Sequence, residues 1–185
     1  MFIGIDLSLT GTGLAFVSET GQCTYSLFAS KPQPYSDRWM RYDHMSSLLI
    51  EAIAKHSPNM IMLEDYILRH QNAITTLQLI EYGAIVRLQL TKHGWPWITA
   101  VGSQLKKWIT GRGSGSKSVI IKDVYKQLKI DVDNDNLADA IVLAHMARDI
   151  YNVMQHEQQP DTKYRQEVIK AVMSKRTMIN QEQLT

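Results

Sequence analysis

A chain of 185 residues and 21.1 kDa, 44% hydrophobic and 21% charged, has enough apolar content for one compact domain and excludes wholesale disorder. No run approaches the ~18–20 uninterrupted apolar residues of a membrane-spanning helix, and the first residues lack a signal-peptide pattern, so a cytoplasmic protein without membrane partners is expected. Cys23 is the single cysteine, which excludes an internal disulfide framework and a CxxC-type zinc site, while the formal net charge of +2 excludes nothing until it is divided along the chain.

The first third reads as strands. Met1–Leu7 is apolar and extended, Thr12–Ser18 follows the turn at Gly11–Gly13, and Thr24–Ser30 follows a turn at Glu19–Gly21. Turns this short predict an antiparallel meander. Pro32 and Pro34 end the pattern. Between Tyr35 and His56 a helix is expected, because Met45, Leu48, Leu49, Ala52 and Ile53 keep the spacing of one buried face. Met60–Leu63 is too short an apolar run for a helix and predicts a buried strand ending at Glu64. A helix from about Asn72 to His93, a strand at Trp95–Val101 and helices at Ser118–Leu128 and Leu137–Val153 complete the order β-β-β-α-β-α-β-α-α. That order predicts an α/β fold: a mixed five-stranded sheet flanked by helices. After Pro160 the chain turns polar, with five bases, three acids and a thin stripe of Tyr164, Val168, Val172 and Ile179. The core domain is therefore expected over residues 1–155, and a basic C-terminal extension, helical or partly disordered, over 156–185.

Charge is unevenly placed. Between Ser103 and Lys129 the seven bases Lys106, Lys107, Arg112, Lys117, Lys122, Lys126 and Lys129 meet one acid, Asp123, a local +6. Asp131, Asp133, Asp135 and Asp139 follow with no base between them. A basic surface beside carboxylates suits an enzyme that holds a phosphate backbone and brings metal ions to it; a solvated charged helix beside an acidic turn gives the same pattern.

Four acids stand where chemistry is usually done. Asp6 ends the first strand in GIDLSLTGTG and Glu64 ends the fourth in IMLEDY. Asp135 and Asp139, in DNDNLADA, share one face at the start of the last core helix. Plainer roles are open to some of them: Asp6 as a turn cap, and Asp135 or Asn136 as the helix N-cap. Together they form the hard-oxygen donor set that Mg2+ prefers, and carboxylates converging from separate elements suit a two-ion site for phosphodiester hydrolysis. In TGRGSGSK, Gly111, Gly113 and Gly115 let backbone approach phosphates, and Arg112 and Lys117 supply charge. A flexible surface loop is the alternative. The GxxxxGK[ST] spacing is absent, so no nucleotide cofactor is expected. The six histidines show no paired ligand spacing, and His145 reads as structural.

The segments GIDLSLTGTG, LEDY, TLQLIEYGAIV with its Gly83, KKWITGRGSGSK and NLADAIVLA occur in an order that resembles RuvC-type Holliday-junction resolvases, which have the ribonuclease H-like fold. The resemblance covers roughly residues 1–150. It implies that Asp6, Glu64 and Asp139 are catalytic acids that hold two Mg2+ ions, with Mn2+ as a substitute, and that Lys117 lies close to the scissile phosphate. Bacterial members of the family place the remaining carboxylate three residues before the last one. Here that position is Asn136, so either Asp135 turns inward to replace it or Asn136 ligates as a neutral oxygen. The family's loop after the second acid presents an aromatic to the junction centre, which points to Tyr66 with Arg69 nearby; Tyr66 as a core residue is the alternative. Lys106, Lys107, Arg112 and Lys117 complete the expected DNA-binding surface. The compact, divergent form resembles the phage versions, which implies a bacterial cell or a phage-infected host.

The expected activity is that of a magnesium-dependent crossover-junction endodeoxyribonuclease resolving four-way and related branched DNA. A homodimer is expected too, because two opposed strands need two active sites. The Asn72–His93 helix and the Trp95/Trp97 strand are candidate parts of its interface. Three other readings use the same features: a ribonuclease H-like nuclease on other nucleic-acid structures, a non-catalytic junction-binding protein, and a sugar-kinase or actin-like phosphate loop in GIDLSLTGTG. The last needs a second domain and a second phosphate motif that 185 residues do not supply.

Overall fold

The computed structural model describes residues 1–31, 36–66 and 73–182, with side chains as far as Lys175. Strands β1 (Phe2–Asp6), β2 (Gly11–Val17), β3 (Cys23–Ala29), β4 (Met60–Glu64) and β5 (Trp97–Ala100) form one mixed sheet in the order β3-β2-β1-β4-β5. The β1–β2 and β2–β3 pairs are antiparallel, and β1–β4 and β4–β5 are parallel. The mixed five-stranded sheet expected from the element order is present.

Alternation along the strands sorts the core into two layers, because successive side chains point to opposite faces of a sheet. Ile3, Ile5, Leu14, Phe16, Ile61 and Leu63 face the helices α1 (Arg38–Ala54) and α2 (Ala73–Lys92), meeting Leu49, Ile53, Tyr82 and Val86. Phe2, Ala15, Val17, Met60 and Met62 face the other way. There they meet α3 (Gly102–Thr110), α4 (Lys117–Leu128), α5 (Asp135–His156) and α6 (Lys163–Glu182).

The central helix, α5, lies directly on β1 and β2 because two glycines let it. A Cβ added at Gly4 would fall 1.9 Å from the Ala140 carbonyl oxygen, and one at Gly13 would fall 2.1 Å from the Asn136 carbonyl oxygen. Any side chain at either position would lift the helix from the sheet.

Two elements differ from expectation. Helix α3 was not expected, because its nine residues carry only Leu105, Trp108 and Ile109 as a buried face. Its ends are nonetheless well made: the Gln104 side chain accepts from the Val101 amide at 3.0 Å, and Gly111 closes it in the left-handed region at φ 76°. The N-cap of α5 is Asn134, whose side chain accepts from the Leu137 amide at 3.1 Å, so neither Asp135 nor Asn136 holds that role. Helix α6 packs on α3 and sends Val168, Ile169 and Val172 into the core. Among the described residues no helix is long and apolar enough to cross a membrane.

Candidate active site

The sheet brings the acids of β1 and β4 side by side. Ile5 pairs with Leu63 in the parallel β1–β4 ladder, so Asp6 and Glu64 are the next positions of neighbouring strands, at the same C-terminal end of the two central strands. Both have the parity of Gly4, Met60 and Met62, which places them on the α5 face. Asp139 comes from the second turn of α5, one residue before the Ala140 that rests on Gly4. The two glycines are thus the reason the third acid reaches the other two.

Proximity has an electrostatic signature. Asp6 is only 6% exposed; burial, then the charges of Glu64 and Asp139, push its carboxyl well above the usual range. Burial, then Glu64 and Asp135, push Asp139 up to about 7. Like charges packed into a half-dry edge are held together by the fold against their own repulsion, and a cation would relieve it. Asp139 Oδ1 is buried and accepts no hydrogen bond among the described residues, so it is a lone-pair oxygen left without a partner. Among the described residues no three acidic, histidine or cysteine side chains form a ready-made metal cage. Magnesium does not need one, since it keeps waters and substrate oxygens around one or two carboxylates. The residues fit a hard divalent cation.

The fourth position is more complicated than either expectation. Asp135 is paired with Lys117, the first residue of α4, and that hydrogen bond holds its carboxyl low and the Lys117 amine high. Its charge still reaches Asp6 and Asp139. Asn136 donates its amide to the Gly11 carbonyl at 2.6 Å, which ties the start of α5 to β2.

The basic residues divide. The charges of Lys106 and Lys117 both act on Asp139, so these two border the acids. Arg112 is exposed just beyond the left-handed Gly111. Lys107 points elsewhere, pairing with Glu167 of α6 at 2.8 Å. Tyr66 is half-buried and tied down: its hydroxyl donates to the Ile80 carbonyl at 3.2 Å, and its ring lies under the Arg87 guanidinium at 3.9 Å. A Cβ at Gly83 would come within 2.7 Å of that hydroxyl, so Gly83 makes room for the ring. Tyr66 therefore packs on α2. Arg69 lies outside the described residues. His145 is 8% exposed beside Trp108, and burial pushes it down to about 4, so it stays neutral and away from the acids' role.

A group around Glu64 escaped sequence reasoning. Arg87 of α2 donates to the Glu64 carbonyl at 3.2 Å, and Lys175 of α6 pairs with Asp65 at 2.6 Å. Burial works against the Asp65 charge, but Lys175, the Tyr66 amide and Arg87 outweigh it and hold its carboxyl low. The only local signal was a charged residue, Arg87, on a largely apolar helix.

Residues 2–147 match the family described as crossover junction endodeoxyribonuclease RuvC. The chain belongs to that family. It is 28% identical over 159 residues to the crossover junction endodeoxyribonuclease RuvC of Brachyspira hyodysenteriae, covering 81% of this chain and 96% of the relative. The fold is similar to that of Thermus thermophilus RuvC in complex with a Holliday junction substrate, with a TM-score of 0.66 at 18% identity over 85% of this chain and 97% of the other. It also resembles the yeast mitochondrial Holliday junction resolvase, with a TM-score of 0.56 at 16% identity over 91% of this chain and 80% of the other. The ribonuclease H-like sheet order and the nuclease assignment follow from this membership.

Proposed function

We propose that this chain resolves four-way DNA junctions by magnesium-dependent phosphodiester hydrolysis, as a homodimer. The observation that carries the reading is the convergence of Asp6, Glu64 and Asp139 at one end of the sheet within the family-matched stretch. A pair of Mg2+ ions held there would activate water and stabilise the leaving oxygen of the cleaved strand. Asp6, Glu64 and Asp139 are the residues to hold them, with Asp135 or Asn136 completing the set. Burial of Asp6 keeps bulk water from competing for its oxygens. Lys106, Lys117 and Arg112 receive the phosphate backbone. Lys117 must exchange its ion pair with Asp135 for a phosphate, which releases the Asp135 carboxylate at the moment DNA arrives.

Ile74, Leu77 and Leu88, 72%, 54% and 54% exposed, give α2 an apolar outer face, which supports its use between two copies. Charged replacements at Ile74 and Leu77 are expected to give a monomer in sedimentation that binds single arms of a junction and no longer cuts paired strands.

The deciding experiment is a cleavage panel of four-way junction, fork, linear duplex and RNA–DNA hybrid, with and without Mg2+. Paired symmetric cuts in the junction, only with the metal, are expected. Preferential cutting of the hybrid would instead favour a ribonuclease H-like activity. Tight junction binding with no cutting would make the protein a non-catalytic binder.

A further inference from the structure

The sheet holds Glu64 only up to its own position. Beyond it, the Asp65 amide donates to the Ala100 carbonyl of β5 at 2.8 Å, and the chain then leaves the ladder. What fixes this exit is a set of side chains from two helices. Arg87, with a side chain 12% exposed, donates to the Glu64 carbonyl at 3.2 Å and to the Gly83 carbonyl at 3.2 Å. Its guanidinium lies over the Tyr66 ring and 4.0 Å from the Asp65 carboxylate. The other oxygen of Asp65 accepts from Lys175 Nζ at 2.6 Å. Lys175 belongs to α6, which lies wholly beyond the family-matched residues 2–147.

We propose that Lys175, Asp65 and Arg87 form a positioning network for Glu64, through which the C-terminal helix sets the metal affinity of the active site. The inference rests on the reading of Glu64 as a metal ligand. Its physical basis is the shared peptide: Arg87 holds the carbonyl of Glu64, while Asp65, one bond further on, is pulled between Arg87 and Lys175. A nearly buried guanidinium needs its charge compensated, and the Asp65 carboxylate 4.0 Å away supplies an anion to it. Without Lys175, Asp65 keeps, among the described residues, only Arg87 as its cationic partner, at the longer distance. The Glu64–Asp65 peptide then keeps its backbone contacts to Arg87 and Ala100 but loses the ion pair that anchors the Asp65 side chain, one of the restraints that aim the Glu64 side chain at the α5 face. Outer partners of ligand residues commonly matter to metal affinity as the ligands' own orientation does. Helix α6 is anchored well enough to transmit this: Arg165 stacks on Trp108 at 3.9 Å, Lys107 pairs with Glu167, and Val168, Ile169 and Val172 are buried.

The test compares full-length wild type, Lys175→Met, Lys175→Arg, Asp65→Asn and the Asp65→Asn/Lys175→Met double variant. Mn2+ binding is measured by calorimetry without DNA, and junction cleavage over a Mg2+ series. Lys175→Met is expected to weaken Mn2+ binding and raise the half-saturating Mg2+ about 3- to 10-fold, below the range for fully buried partners because Lys175 is half-exposed. Junction affinity in EDTA stays within about twofold, Lys175→Arg restores most of the loss, and Lys175→Met adds nothing on the Asp65→Asn background. Unchanged metal affinity in Lys175→Met overturns the proposal. So does a lower melting temperature with unchanged metal dependence. Weaker junction binding with a shallower salt dependence also overturns it, making Lys175 a phosphate contact. Failure of the wild type to cut any junction would refute the function reading instead, while the Mn2+ comparison would still decide this one.

Discussion

Replacing Asp139 with Asn removes a charge whose burial the fold resists. The carboxyl stands at about 7 against an ordinary 3.8, with burial as the first cause and Glu64 and Asp135 next. A carboxyl with a raised folded value destabilises the folded state wherever it must ionise, so the penalty is absent below about pH 4 and full above about pH 7. The interval from 3.8 to about 7 corresponds to at most about 4 kcal/mol. Allowing for relaxation around a group that keeps some solvent contact, about 2–4 kcal/mol is expected. Asn keeps the shape and loses no hydrogen bond at Oδ1, which has none. In EDTA at pH 8 the Asp139→Asn variant should therefore melt roughly 4–16 °C above wild type, on the scale of a chain this size. At pH 5.5 the gap should shrink by about half, because wild type then carries the proton itself. With saturating Mg2+ the order should close or invert, since only wild type gains the full binding energy of the metal. Junction cleavage by the variant should fall below detection throughout. Calorimetric melting at pH 8 and 5.5, with EDTA and with Mg2+, checks each arm. A variant that melts at or below wild type in EDTA at pH 8 would refute the view that repulsion and burial at this edge are stored for a cation.

Asp6→Asn and Glu64→Gln should each reduce cleavage by roughly a thousandfold or more while junction binding in EDTA changes only a few-fold, as seen in single-turnover rates beside mobility shifts. If Asp135 is a ligand once Lys117 is drawn to phosphate, Asp135→Asn should cut the rate by orders of magnitude; near-normal cleavage would move the fourth ligand to Asn136 or remove it. Asn136→Ala should instead cost roughly 1–2 kcal/mol of stability, read by denaturant melts, by stranding the Gly11 carbonyl. Gly4→Ala should cost roughly 3 kcal/mol or more and abolish cleavage together, because its methyl would strike the Ala140 backbone; wild-type stability in that variant would contradict the direct seating of α5 on β1.

What the sequence carried well were features with a local cause. The five strands follow from apolar runs and short turns, and the positions of Asp6 and Glu64 at strand ends could be read once those runs were drawn. Their meeting at one end of the sheet needed only the parallel β1–β4 pairing, which α1 allows by carrying the chain from β3 back to the free side of β1. The reach of Asp139 was not readable in the same way. It depends on Gly4 and Gly13, residues that look like ordinary strand and turn glycines until a helix backbone is found 1.9 Å and 2.1 Å from where their Cβ atoms would be. Helix α3 was missed because nine residues hold too little periodicity to stand out, although Leu105, Trp108, Ile109 and the closing Gly111 were its pattern.

The remaining gaps share one physical reason: they are ion pairs between segments far apart in sequence, which no local pattern announces. Lys117 and Asp135 point from the sequence to phosphate and to metal, yet nothing in their spacing shows that each pairs with the other. Lys107 was counted with its neighbour Lys106, but adjacent residues on a helix point about 100° apart. One therefore borders Asp139 while the other meets Glu167 on α6. The basic segment is thus not one surface but two, a side turned to the acids and a side turned to the C-terminal helix. That division lets Lys107 and Glu167 join α3 to α6, the helix whose Lys175 pairs with Asp65, while Lys106 stays on the side of the acids.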